Sequence, residues 1–202
     1  MRKFDLSTLL VATHNKGKLE EIEHLLKPYN LDVVGAASLG LEEPLETEDT
    51  FVGNARIKAH AAAKAANMPA MSDDSGLEIA ALNGAPGVYT ADWAETETGR
   101  NFEMAMAKAY QMLLDSGAET PWKARFCCTL VIAWPDGDDV TFEGTVDGQI
   151  IWPMRGEQGH GYDPIFLPDG YDETFGEMDR WEKNKISHRA RALSKLIEQC
   201  FD

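Results

Sequence analysis

Short apolar runs alternate along the chain with longer stretches in which apolar residues recur every three or four positions. The first run, Leu9-Leu10-Val11-Ala12, gives way to a polar loop from Thr13 to Lys18. Leu19, Ile22, Leu25 and Leu26 then follow at helical spacing, Pro28 stops that helix, and Leu31 to Val34 reads as a second strand. Strand, loop, helix and strand in this order form the unit from which α/β proteins are built. Residues 38–50 read as an acidic loop. A helix is predicted over residues 51–67, with Ala55, Ala59, Ala62, Ala63 and Ala66 on an inner face that can lie close to a sheet. Asn54 and Lys58, four residues apart, share a helix face, expected opposite much of the alanine stripe and open to solvent.

Pro69-Ala70-Met71 leads to what looks like a strand end at Asp73-Asp74, and Gly76 suggests a sharp turn there. Gly84-Ala85-Pro86-Gly87 is turn chemistry. A further helix is predicted over residues 101–116, and strands over residues 126–134 and 140–151, joined at Pro135-Asp136-Gly137. Residues 153–172, rich in Gly and Pro, read as one long functional loop. Leu193, Leu196, Ile197, Cys200 and Phe201 mark a C-terminal helix for which Ser187 is a candidate N-cap. Without a repeat or a linker, residues 1–202 are expected to form a single α/β domain.

Composition narrows the class. With 202 residues, 44% apolar and 26% charged, the chain can bury a substantial core and is neither low-complexity nor disordered in character. It lacks the run of about 18 apolar residues that a membrane span needs, and Asp5 interrupts the apolar stretch of a signal peptide. A cytoplasmic protein is expected. The odd cysteine count (Cys127, Cys128, Cys200) gives neither a disulfide framework nor metal-ligand spacing, so reduced, buried thiols are expected.

Charge changes the picture further. Thirty-four acids against 19 bases leave a net charge of −15, which argues against sequence-independent binding to DNA or RNA. An anionic ligand would require local positive charge or a metal. Arg180, Lys183, Lys185, Arg189, Arg191 and Lys195 supply such a concentration, six of the 19 bases between positions 180 and 195. Bases before and inside the first turn of a helix oppose its dipole, a small cost that an anion would relieve.

Three further segments carry candidate chemistry. Thr13-His14-Asn15-Lys16-Gly17-Lys18 stands between strand and helix, where backbone N–H groups favour phosphate, although the P-loop spacing is absent. Asp73 and Asp74 suit a hard cation such as Mg2+ completed by phosphate oxygens, with Glu46 or Glu48 from the acidic loop as a further ligand. Adjacent residues of an extended segment point to opposite sides, so only one of the two aspartates need face a given metal. His160-Gly161-Tyr162-Asp163-Pro164 combines rings with a rigid turn.

Six blocks in a fixed order resemble the RdgB/inosine triphosphatase family of nucleoside-triphosphate pyrophosphatases. They are Thr13-x-Asn15-x-Gly17-Lys18, Thr50-Phe51-x-x-Asn54-Ala55-x-x-Lys58-Ala59, Asp73-Asp74-Ser75-Gly76-Leu77 and Gly84-Ala85-Pro86-Gly87-Val88-Tyr89. Gly161-Tyr162-Asp163-Pro164-Ile165-Phe166 follows, and then Glu182-Lys183 with Ser187-His188-Arg189. The resemblance implies an α/β fold with a long mixed central β-sheet, flanking helices and two lobes around an active-site cleft, in a homodimer. It implies Mg2+-assisted hydrolysis of deaminated purine nucleoside triphosphates (ITP, dITP, XTP) to the monophosphate and pyrophosphate.

Carried over by position, Asp74 is the base for water attacking the α-phosphorus, and Asp74, Glu46 and Asp73 are the metal-side acids. Thr13, His14, Asn15, Lys16, Gly17, Lys18, Lys58 and Lys183 match the phosphate-binding segments. Ser75, His160, Gly161, Tyr162, Asp163, His188 and Arg189 match substrate contacts, the last two on the base. A guanidinium such as Arg189 can meet the O6 acceptor of hypoxanthine or xanthine, whereas the amino group of adenine would leave it mis-paired. Two positions depart from the family's usual letters: His160 replaces a common Phe, and Asp92 stands where Arg is usual. A pyrophosphatase of other base preference, a nucleotide-sensing module and a calcium-binding acidic module are the competing readings; the last lacks EF-hand spacing.

Overall fold

The computed structural model describes residues 2–4, 7–29 and 31–200. In chain order the elements are β1 (Thr8–Val11), α1 (Lys16–Leu26), β2 (Asp32–Gly35), α2 (Phe51–Ala66), β3 (Ala70–Ile79), β4 (Pro86–Gly87), β5 (Glu95–Thr96), β6 (Gly99–Arg100), α3 (Phe102–Ser116), β7 (Trp122–Ala133), β8 (Asp139–Ile150), β9 (Phe166–Pro168), α4 (Arg180–Ile186) and α5 (His188–Cys200). The main sheet runs β2-β1-β3-β7-β8-β9, with β4 also on β3. It is mixed: β1 pairs in parallel with β2 and β3, whereas β3 with β4 and β8 with β9 are antiparallel.

The chain divides into two compact units. The first comprises residues 1–74, 128–144 and 189–202, the second residues 75–127 and 145–188, and β3, β7 and β8 each continue from one into the other. The first unit has a core on each face of its sheet. On one, Ile22 and Leu26 of α1 and Leu193 and Leu196 of α5 pack with Leu9, Val11, Met71, Leu130 and Ile132. On the other, Ala55, Ala59, Ala62 and Ala63 of α2 pack with Leu10, Ala70, Val131 and Ala133. The alanine stripe therefore does what its small side chains predict. The second unit has its own core, in which Ala105, Met106 and Ala109 of α3 join Phe126, Val146, Phe166 and Phe175.

Several sequence expectations are corrected. Asp73 and Asp74 are not at a strand end, and Gly76 makes no sharp turn: β3 runs on to Ile79, because β4 pairs with it at Leu77 and Glu78 after β1 has stopped. What ends near the aspartates is the parallel ladder, at Val11↔Met71. Asn54 and Lys58 are buried rather than solvated, one helical step from Ala55 and Ala59 at the edge of the stripe. The loop over residues 153–172 contains β9 and a 3-10 turn at Asp163–Ile165. The basic segment is two helices instead of one. Ser187 is the C-cap of α4 as well as the residue before α5, and Lys183 and Lys185 lie in the last turn of α4, where the dipole favours them. The dipole argument for an anion thus fails for these two lysines. Phe201 lies outside the described residues.

Candidate active site

In the first unit, β1 delivers Thr13 to the sheet end and α1 begins at once. Asn15 is its N-cap, its Oδ1 accepting the Lys18 N–H at 3.2 Å, and its own N–H donates to Thr13 Oγ1. Lys16, Gly17 and Lys18 thus form the first helical turn, whose positive dipole end suits phosphate. Asn is among the best residues for such a cap.

Alternation along β3 sends its two aspartates to opposite faces. Met71, two residues before Asp73, belongs to the core of α1 and α5, and Asp73 joins that side: its Oδ2 accepts from Lys18 Nζ at 2.9 Å and from Arg189 Nη2 at 3.3 Å. Arg189 Nη1 donates to Glu21 at 2.5 Å. Four buried or nearly buried charges, two of each sign, make a closed group. Burial alone would push the Asp73 carboxyl up, but Lys18, Arg189 and Lys58 together hold it far below the usual carboxylate range. Burial likewise opposes the Arg189 charge, and Asp73 and Glu21 outweigh it, so its pKa is raised.

Ser72, two residues before Asp74, donates to Ala55 O on α2 at 2.6 Å, and Asp74 turns to the same helix. Its Oδ1 lies 3.9 Å from Lys58 Nζ, and that ammonium also donates to Glu46 Oε1. Burial pushes the Asp74 carboxyl up, Lys58 pulls it down and Glu46 pushes it up again, leaving it at about 6. Burial lowers Lys58, but Asp73, Asp74 and Glu46 raise it more.

The acidic loop that carries Glu46 is tied at both ends. His14 Nε2 donates to Leu41 O at 2.8 Å, with Nδ1 3.7 Å from Glu43, and the Glu48 N–H donates to Asn54 Oδ1 at 2.9 Å. Among the three acids expected on the metal side, Glu46 and Asp74 share one cation, while Asp73 is committed to Lys18 and Arg189 on the other face. No group of three or more His, Cys, Asp or Glu side chains placed to hold a metal occurs among the described residues. Two carboxylates around one cation do fit Mg2+, which keeps few protein ligands and takes the rest from water and phosphate; the Lys58 ammonium stands in for it.

In the second unit a separate group forms around Asp163. Its buried Oδ2 accepts from Lys183 Nζ at 2.5 Å and from the His160 N–H at 2.6 Å. Gly159 and Gly161 adopt positive φ, and a Cβ on Gly159 would collide with the Asp163 carboxylate. Tyr162 is buried edge-on to Phe102, and burial raises its phenol pKa. His188 is buried with its ring stacked on Phe126, centroids 5.0 Å apart, whereas His160 is exposed and Ser75 half-buried. Asp92 is exposed. Glu21 could not be foreseen from the letters: an acid on a polar helix turn has no pattern that foretells a buried partner for Arg189.

A model of the Ham1 family matches residues 9–199. The dITP/XTP pyrophosphatase of Ruegeria pomeroyi is 66% identical over 200 residues, covering 99% of this chain and 98% of that protein. The dITP/XTP pyrophosphatase of Agrobacterium fabrum is 53% identical over the full length of both. Among solved structures, a HAM1 protein from Coxiella burnetii superposes with a TM-score of 0.88 at 35% identity, covering 95% of this chain and 96% of that one. These matches extend over nearly the whole sequence and agree with the six motif blocks and the mixed α/β sheet: the chain belongs to the Ham1 family.

Proposed function

We propose that the chain hydrolyses deaminated purine nucleoside triphosphates (dITP, ITP and XTP) to the monophosphate and pyrophosphate, removing them from the nucleotide pool. The names of the relatives support the reaction class and the substrates. The observation that carries the mechanism is the pairing of Asp74, its carboxyl raised to about 6, with Glu46 around one buried cation. A general base is most effective with a pKa near the working pH. Asp74 takes the proton of the attacking water as its oxygen bonds to the α-phosphorus. The bond from that phosphorus to the bridging oxygen breaks, and pyrophosphate leaves.

Glu46 and Asp74 would hold Mg2+, which when bound offsets charge on the phosphates and leaving group. Thr13, His14, Asn15, Lys16, Gly17 and Lys18 present the first turn of α1 to phosphate, and Lys18, Lys58 and Lys183 add positive charge. Asp73 serves as an anchor for Lys18 and Arg189 and need not touch the metal. Ser75, His160, Gly161, Tyr162, Asp163 and His188 are proposed substrate contacts, with Asp163 holding Lys183 and the loop backbone. Arg189 is the proposed donor to an O6 acceptor, held in place by its bonds to Asp73 and Glu21. No helix among the described residues is long and apolar enough to cross a membrane; the proposed enzyme works as a homodimer in the cytoplasm.

A substrate panel with product identification tests the proposal. With Mg2+, XTP or dITP should yield monophosphate and pyrophosphate far faster than ATP or GTP. Release of orthophosphate would overturn attack at the α-phosphorus. Asp74→Asn should lower kcat by about 10³-fold, within the range for loss of a general base, with nucleotide binding largely kept.

A further inference from the structure

The Lys58 ammonium is in contact with Glu46 and 3.9 Å from Asp74, and its side chain is only 7% exposed. It therefore occupies the space where a cation shared by the two carboxylates would sit. We infer that Lys58 is a resident counter-cation that keeps this carboxylate pair from binding a divalent ion in the absence of nucleotide, and that substrate phosphates release it. The inference rests on the reading of Glu46 and Asp74 as the metal-side acids.

Lys58 starts from a fixed point. Thr50 caps α2 through the Gly53 N–H, and Ala55, Ala59, Ala62 and Ala63 lock the helix against the sheet. The ammonium can swing only as far as its own side chain allows. Glu46 is presented to it by a loop held through His14 and Asn54. Without a cation between them, Glu46 and Asp74 would repel each other, and burial would magnify the repulsion. Lys58 removes that repulsion from the nucleotide-free protein.

The same contact sets up a competition. A divalent ion such as Mg2+ lies 2.0–2.1 Å from its oxygen ligands, so an ion held between Glu46 and Asp74 would stand beside the Lys58 ammonium and be repelled by it. Metal binding to the nucleotide-free protein must then push a buried ammonium off its carboxylate, which is costly unless another anion receives it. Triphosphate oxygens are such an anion, and they also complete the metal's ligand set. Phosphate and metal should consequently bind with positive coupling, and Lys58 should be the residue that transmits it.

The test is a Mn2+ titration of the nucleotide-free protein, reading free Mn2+ by its electron paramagnetic resonance signal. Lys58→Met removes the competing charge while keeping an aliphatic stem, and should tighten Mn2+ binding at least tenfold. Lys58→Arg restores a cation and should bind as weakly as the parent. Lys58→Gln gives a second uncharged side chain should the Met variant fold poorly, and it should tighten binding in the same direction. An unchanged or weaker affinity in the folded, uncharged variants overturns the inference. Adding Glu46→Gln to Lys58→Met separates the two levels. Loss of Mn2+ binding in the double variant places the ion at this carboxylate pair, so a failure of Lys58→Met to tighten would refute the counter-cation role alone. Mn2+ binding indifferent to Glu46 would instead refute the metal site itself, and the inference with it.

Discussion

At the scale of single residues, Asp73 and Asp74 differ by one peptide unit and carry opposite electrostatic balances. The Asp74 carboxyl binds its proton more tightly in the folded chain, at about 6 against an ordinary 3.8, so protonation favours folding. That contribution is complete below pH 3.8 and is lost as pH rises through 6. Above pH 6 the ionised group then costs the folded state up to roughly 3 kcal/mol. Metal-free Asp74→Asn should accordingly melt several degrees above the parent at pH 7.5, with the gap closing near pH 4; calorimetry across that range checks it. Asp73 behaves in the opposite sense. Its lowered pKa stabilises the fold above the ordinary carboxyl range, and the contribution fades as pH falls into acid. Asp73→Asn takes the carboxylate from Lys18 and leaves Arg189 with Glu21, and should cost about 3 kcal/mol at pH 7.5, as broken buried pairs do, measured by urea unfolding. The letters Asp-Asp-Ser-Gly flagged both acids, and strand alternation predicted that they point apart. Nothing in the letters could say which one would meet two cations, because Arg189 and Glu21 arrive from distant parts of the chain.

At the scale of elements, the strand–loop–helix opening of β1 and α1 was legible because its hydrophobic period is local, as it was for α2 and α3; their caps, Thr50 and Asn101, which accept from Gly53 and Met104, went unread. Legibility failed where long-range pairing decides. The extent of β3 depends on β4, and α4 went unread, although the start of α5 after Ser187 agrees with the expected helix start. The loop around Asp163 is an element of a different kind, held by a carboxylate in place of a ladder. Gly159, at φ 78°, approaches that carboxylate so closely that any side chain must displace it. Gly159→Ala should raise KM for dITP severalfold and cost roughly 1–3 kcal/mol of stability, through both backbone strain and the clash. Steady-state kinetics beside thermal melting measure the two effects.

At the scale of the whole molecule, the two units share three strands without interruption, so neither can lose its sheet while the other keeps all of its own. A single cooperative transition is expected even though each unit has a separate core. Trp134 is the tryptophan of the first unit, while Trp93, Trp122, Trp152 and Trp181 lie in the second. Urea transitions followed by Trp134 alone, with the other four changed to Phe, should coincide with those followed by far-ultraviolet dichroism. Separated midpoints would show that the units unfold independently. The missing linker is what points to one domain; the three separate cores are not legible in the letters, since hydrophobic periodicity shows that a face is buried and not what it is buried against.

The parity of β3 has a consequence for how this sequence can vary. Side chains exchange faces when a strand slides by one position. A single-residue deletion between Met68 and Ser72 would therefore deliver Asp73 to α2 and Asp74 to α1. Every motif letter from Asp73 onward would survive, yet Asp74 would be locked between Lys18 and Arg189. In this fold, length between the end of α2 and the aspartate pair is as constrained as the identity of the aspartates.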